Sequence, residues 1–231
     1  MSLIKTIVAS VWLCLLGATA QAAPENITRG EMAIIPEYCK DAQTFGWQQG
    51  FKESPRSPYW VSLMGRSFWD IHHYCWAVLS VHRSRAAGIT PQHRDHLHRT
   101  AIDDYRYIVN AAKPDMVLLP DIYYHIAESH AFLKEFGAAV DNYNRSREIK
   151  PDYWPPYVGH AKILEKAGLT AQAKKVLEEG LRLMPTERAL QTPFVRLGGR
   201  LADIVPAPTP APTPAEPSPP EAPAGAASAP Q

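Results

Sequence analysis

Histidine is the residue of this chain most suited to chemistry. Nine occur, and six of them (His72, His73, His82, His93, His96 and His98) fall within one short stretch. On a helix His93 and His96 stand one turn apart, as do Asp70 and His73, so each pair could share a metal ion. His72, His73, His93 and His96 are therefore the candidates for a metal- or haem-handling site. The sequence has no CxxC, HExxH or CxxCH, the spacings that hold zinc or attach haem. The expectation is that His72 and His73 are hydrogen-bonded within an aromatic helix, that His93, His96 and His98 decorate a solvated one, and that no cofactor is bound. Hydrolytic chemistry finds still less support. There is no GxSxG and no glycine-rich phosphate loop. Asp103-Asp104 and Glu178-Glu179 are adjacent pairs, which a helix projects about 100° apart, so neither pair converges on a substrate. The chain reads as a non-enzyme.

Cysteine sets the compartment. Of three cysteines, Cys14 lies in an N-terminal segment with a single early charge, Lys5, an apolar run from Ile7 to Leu16, and Ala20-Gln21-Ala22 as an A-x-A cleavage site. That order marks residues 1–22 as a secretory signal peptide. Trp12 and Leu13 precede Cys14 where a lipobox needs small residues, so a soluble mature chain is expected, periplasmic or secreted. No later stretch approaches the roughly 18–20 apolar residues of a membrane helix. Cys39 and Cys75 remain, and in an oxidising compartment they are expected to form a disulfide rather than two buried thiols. The bridge would fasten an irregular N-terminal segment to the first long helix. Formal net charge is +1 with both signs mixed along the chain, which gives no electrostatic reason to expect nucleic acid or anionic lipid.

The elements that must position these residues emerge when the chain is compared with itself at a shift of 34 residues. Ala127 falls on Ala161, Ala139 on Ala173 and Pro151 on Pro185; Tyr123 falls on Tyr157, Tyr143 on Leu177 and Ile149 on Leu183. Small residues mark where two helices of a hairpin come close, large ones fill the space between hairpins, and the prolines stand where the chain leaves the second helix. A looser unit lies upstream. Tyr74-Cys75-Trp76-Ala77 parallels Tyr124-His125-Ile126-Ala127, with helices expected at Phe68–Arg85 and Pro91–Ala112, the latter capped by Thr90. Residues 23–66 show aromatics without a period and are expected to wrap the first hairpin, with a helix from about Cys39 to Gln48. Thr186 can cap a closing helix running to about Asp203. From Pro206 to Gln231 there are ten prolines among 26 residues, a composition that cannot build a core.

This pattern resembles the tetratricopeptide (TPR) family: small residues at the eighth and twentieth positions, an aromatic or aliphatic residue at the twenty-fourth, and proline at the thirty-second. The usual glycine at the eighth position is alanine in both units, and the twenty-seventh holds Ser146 and Gly180. The segment Phe68–Trp76 is also similar to small exported bacterial proteins of this type. The resemblance implies an all-α hairpin solenoid. Its parts would be an extension at 23–66, a long hairpin at 67–115, units at 120–152 and 153–187, a cap at 188–204 and a disordered tail at 205–231. It further implies that the first helix of each unit lines a groove, with Tyr124, His125, Glu128 and Phe132 from one unit and Val158, Lys162, Glu165 and Lys166 from the next. The lysine and asparagine set with which some members clamp a peptide carboxylate is not reproduced. What remains is an aromatic, mixed-charge groove for a partner protein or peptide segment in the cell envelope, as in an adaptor or assembly factor. Two alternatives are a metal- or haem-handling protein using the His72–His98 region and an accessory subunit of an envelope complex. The protein's own N-terminal wrap could also fill the groove.

Overall fold

The computed structural model describes residues 27–43, 45 and 53–208, and every regular element among them is a helix. The expected signal peptide and nearly all of the proline-rich tail lie outside these residues. The extension forms α1 (Arg29–Ile34), α2 (Glu37–Asp41) and α3 (Ser57–Met64), followed by a 3-10 segment at Gly65–Asp70. Thr28 opens α1 with a reciprocal cap: its hydroxyl accepts from the Glu31 N–H, and the Glu31 carboxylate accepts from the Thr28 N–H. The helix expected from Cys39 is seen as α2, which starts at Glu37 and closes at Asp41; the later part of that span falls largely outside the described residues.

A buried carboxylate holds this extension together. Asp41 accepts from Ser54 Oγ and Trp60 Nε1, each at 2.6 Å, and pairs with Arg56 at 2.8 Å. Left unpaired, such a charge would cost several kcal/mol. The disulfide joins Cys39 of α2 to Cys75, with a Cα–Cα distance of 5.7 Å and both residues inaccessible to solvent. It closes a loop of 36 residues, worth about 4 kcal/mol in the chain-entropy model.

The body is three helical hairpins and a closing helix. α4 (Ile71–Arg83) pairs with α5 (Pro91–Ala111), α6 (Leu119–Phe132) with α7 (Phe136–Ile149), and α8 (Pro155–Lys166) with α9 (Thr170–Leu183); α10 (Arg188–Arg196) covers the end. Successive hairpins meet through α5–α6 and α7–α8, and α6 also touches α8. Thr90 caps α5 by accepting from the His93 N–H, and Pro91 fills the first turn where no N–H is needed.

Three of the pairs matched at a shift of 34 do the same physical jobs, while Tyr157 is more buried than Tyr123 and Leu183 is exposed where Ile149 is half-buried. Ala127, Ala139, Ala161 and Ala173 are all buried at helix contacts, and Tyr143 and Leu177 are fully buried. The twenty-seventh position differs between the units. Ser146 is buried and donates to the Pro120 carbonyl at 2.6 Å, whereas Gly180 leaves room for Tyr157 and Leu190, whose atoms would stand 3.0–3.1 Å from an added Cβ. The hairpin turns match too. Lys134 and Gly168 both adopt positive φ, 61° and 75°, and Lys134 is the only non-glycine among the described residues to do so.

The closing helix departs from expectation at both ends. Its cap is Glu187, whose side chain accepts from the Ala189 N–H, rather than Thr186. It stops at Arg196 instead of about Asp203, because the chain turns through Gly198 at φ 79° before a short 3-10 segment, Leu201–Asp203. The largest core cluster unites the extension, the first hairpin and the start of α6, so the N-terminal segment is part of the fold and not an appendage. No described helix is long and apolar enough to cross a membrane.

Candidate interaction groove

The first helices of the hairpins, α4, α6 and α8, line one side of a groove of about 1080 Å³. Helical spacing explains which residues they present. Tyr124, His125, Glu128 and Phe132 succeed one another along one face of α6, and Lys162 and Lys166 stand one turn apart on α8. Six of the eight residues expected in the groove are there: Tyr124, His125, Glu128, Phe132, Lys162 and Lys166.

Val158 and Glu165 are not among them. They belong to a separate pocket of about 250 Å³ under α10, which Lys162 also reaches. The cause is the closing helix: both terminal guanidinium nitrogens of Arg196 donate to Glu165, turning its carboxylate toward α10. That pairing also holds the Glu165 carboxyl below its usual range.

Part of the remaining lining comes from places a first-helix rule does not reach. Arg85 follows α4, Arg94 and His98 stand on α5, Lys134 lies in the α6–α7 turn, and Phe136 and Tyr143 come from α7. The expected mixed charge is therefore a basic groove: Arg85, Arg94, Lys134, Lys162 and Lys166 against Glu128 alone. Glu128 is itself engaged, accepting a short hydrogen bond from the Tyr143 hydroxyl. Burial and that carboxylate together push the Tyr143 hydroxyl far above its ordinary pKa, so it remains a donor. Gly159 lets this pair form, since an added Cβ would fall 2.6 Å from the Tyr143 ring and 2.7 Å from the Glu128 carboxylate.

Aromatic rings fix the floor. His125 stacks on Tyr105 at 5.6 Å, and its Nε2 faces Asp121 at 3.5 Å. Asp121 also accepts from the Tyr74 and Tyr153 hydroxyls, each at 2.7 Å, which joins α4, α6 and the segment leading into α8. His98, expected on a solvated face, is buried: it stacks on Phe132 at 3.9 Å and meets Ser84 Oγ at 3.1 Å. Burial, with Arg85 and Arg94 nearby, pushes its pKa down to about 4, so it is neutral at physiological pH. Ile34, Phe132 and Phe136 are large apolar side chains left exposed, and all three line the groove. Ile34 is the one described residue of the extension in that lining, so the described part of the extension leaves the groove open.

The histidine candidates lie elsewhere. His72 Nδ1 is 3.1 Å from the Trp69 carbonyl. His73 donates from Nδ1 to Asp104 at 2.8 Å and stacks on Tyr107. His93 and His96 are exposed, with their rings 6.2 Å apart. Among the described residues no three His, Cys, Asp or Glu side chains converge as a metal ion requires. No protein-family model matches the chain.

Proposed function

We propose that this protein is a TPR-type interaction module of the cell envelope, an adaptor or assembly factor that holds a segment of a partner protein in the groove between α4, α6 and α8. The observation that carries the reading is the convergence of Tyr124, His125, Phe132, Lys162 and Lys166 on one open groove whose exposed apolar residues no described part of the chain covers. Monomers seldom leave large apolar side chains clustered in a concavity without a use for them. The shared 34-residue register supports the TPR assignment. The leader-like residues 1–22 and the buried disulfide support an exported, oxidising location.

Photo-cross-linking tests the reading. A photoreactive phenylalanine analogue at position 132 should give a discrete adduct in cells, whereas the same analogue at position 107, on exposed Tyr107 outside the groove, should not. Equal adducts from both positions, or none from position 132, would remove the groove as the binding surface.

A further inference from the structure

Resting on the groove reading, we infer that the occupant is an acidic segment of a partner protein, with carboxylates on both sides of an apolar or aromatic centre. The first observation is a charge imbalance confined to one place. The whole chain is nearly neutral, with 24 Lys and Arg against 23 Asp and Glu. The groove nevertheless collects five of the cations and a single carboxylate, Glu128, whose charge is already engaged by Tyr143.

The second observation is how these cations are held. Arg85, Lys134, Lys162 and Lys166 form no ion pair among the described residues, although surface carboxylates elsewhere pair freely, as in Arg99 with Glu135 and Arg182 with Glu178. Lys134 occupies the turn position that glycine fills in the next hairpin, and a side chain there costs about 1 kcal/mol in backbone conformation. A cation is thus kept at the groove edge against local preference.

The third observation is their order along the stack. Arg85 and Arg94 belong to the first hairpin, Lys134 to the turn of the second, and Lys162 and Lys166 to the third. Between the outer two sets lie Phe132, Phe136 and Tyr124. A ligand crossing the hairpins therefore meets positive charge, then an aromatic centre with Lys134 at its edge and the engaged Glu128 beside it, then positive charge. Complementary charge on the partner would steer encounter and fix register, and the apolar centre would supply affinity.

The test uses the full mature chain and three fluorescein-labelled ten-residue peptides. All carry a central Trp-Leu pair, flanked on both sides by Asp and Glu, by Ser and Gln, or by Lys and Arg. Anisotropy should show the acidic peptide binding about tenfold or more tighter than the neutral one, weakening as salt is raised. Lys162→Glu with Lys166→Glu should lower acidic-peptide affinity by about tenfold or more and raise that of the basic peptide, with the circular dichroism spectrum unchanged. If the neutral or basic peptide binds best, and Phe132→Ala abolishes that binding, the acidic occupant is wrong while the groove reading stands. If no peptide binds the folded, oxidised protein either before or after truncation following Pro208, both fall. If binding of the acidic peptide appears only after truncation following Pro208, the chain's own tail is the occupant and the inference is overturned.

Discussion

Gly159→Ala is the substitution whose effect the structure fixes most closely. An alanine Cβ at this position would stand 2.6 Å from Tyr143 Cε1, 2.7 Å from Tyr143 Cζ and 2.7 Å from Glu128 Oε1, close to 1 Å inside ordinary contact. The Tyr143 ring is buried, packed with Ala127 and Ala139 of the same hairpin and Ile163 of the next. Relief requires the ring to shift and its bond to Glu128 to break. Overpacking costs about 1–3 kcal/mol, and losing a hydrogen bond to a charged acceptor about 1.5–3 kcal/mol. Against these, alanine gains about 1 kcal/mol in helix propensity. The net expectation is destabilisation by roughly 2–4 kcal/mol, a fall in Tm on the order of 5–12 °C for a domain of this size. Urea unfolding of the oxidised protein, followed by circular dichroism, measures it. Gly137→Ala is the control: nothing lies within 4 Å of a Cβ there, so the variant should be neutral or slightly stabilised. In a Tyr143→Leu background the penalty at Gly159 should shrink, since the ring atoms are gone and the Glu128 carboxylate, no longer held by the Tyr143 hydroxyl, is free to swing aside. Equal or greater stability of Gly159→Ala in the natural background would refute the argument that this contact shapes the groove floor.

Other consequences are as direct. Cys39→Ser with Cys75→Ser should cost up to about 4 kcal/mol; in the unsubstituted protein both sulfurs are buried, so labelling of Cys39 and Cys75 after mild reductant should stay at zero until the protein unfolds. His98 and His160 are both buried with pKa values pushed down to about 4, by burial first and then by Arg85 and Arg94 for His98 and by Arg147 for His160. The unfolded chain binds these protons near pH 6.5 and the fold does not, so stability should fall as pH drops from about 6.5 to about 4 and be flat in these groups above that range. The slope is on the order of 1.4 kcal/mol per pH unit for each histidine. Urea midpoints of His98→Gln with His160→Gln should show a shallower acid limb, and an unchanged limb would contradict the assignment. Lys134→Gly should raise stability by up to about 1 kcal/mol, because glycine adopts the turn's positive φ without penalty, while weakening acidic-peptide binding. Thermal unfolding and anisotropy on the same preparation read both.

The sequence alone determined whatever depends on repetition along one helix. The 34-residue period placed Ala127 on Ala161 and Ala139 on Ala173, and all four are buried where helices meet. The family resemblance assigned Tyr124, His125, Glu128 and Phe132 of α6, and Lys162 and Lys166 of α8, to one groove, and all six line it. Oxidising-compartment logic paired Cys39 with Cys75. What only the tertiary structure decided are encounters between residues far apart in the chain. Glu165 shares a helical face with Lys162, yet Arg196, 31 residues on, draws it out of the groove. His98 looked solvated in a charged stretch, but Phe132 of the next hairpin covers it. Arg85, Arg94 and Lys134 stand on a turn, a second helix and another turn, so no first-helix periodicity could assign them to the groove. The physical reason is that a helical period fixes directions about one axis. The rotation between stacked hairpins, set by side-chain packing such as that of Tyr143 against Gly159, fixes which directions meet.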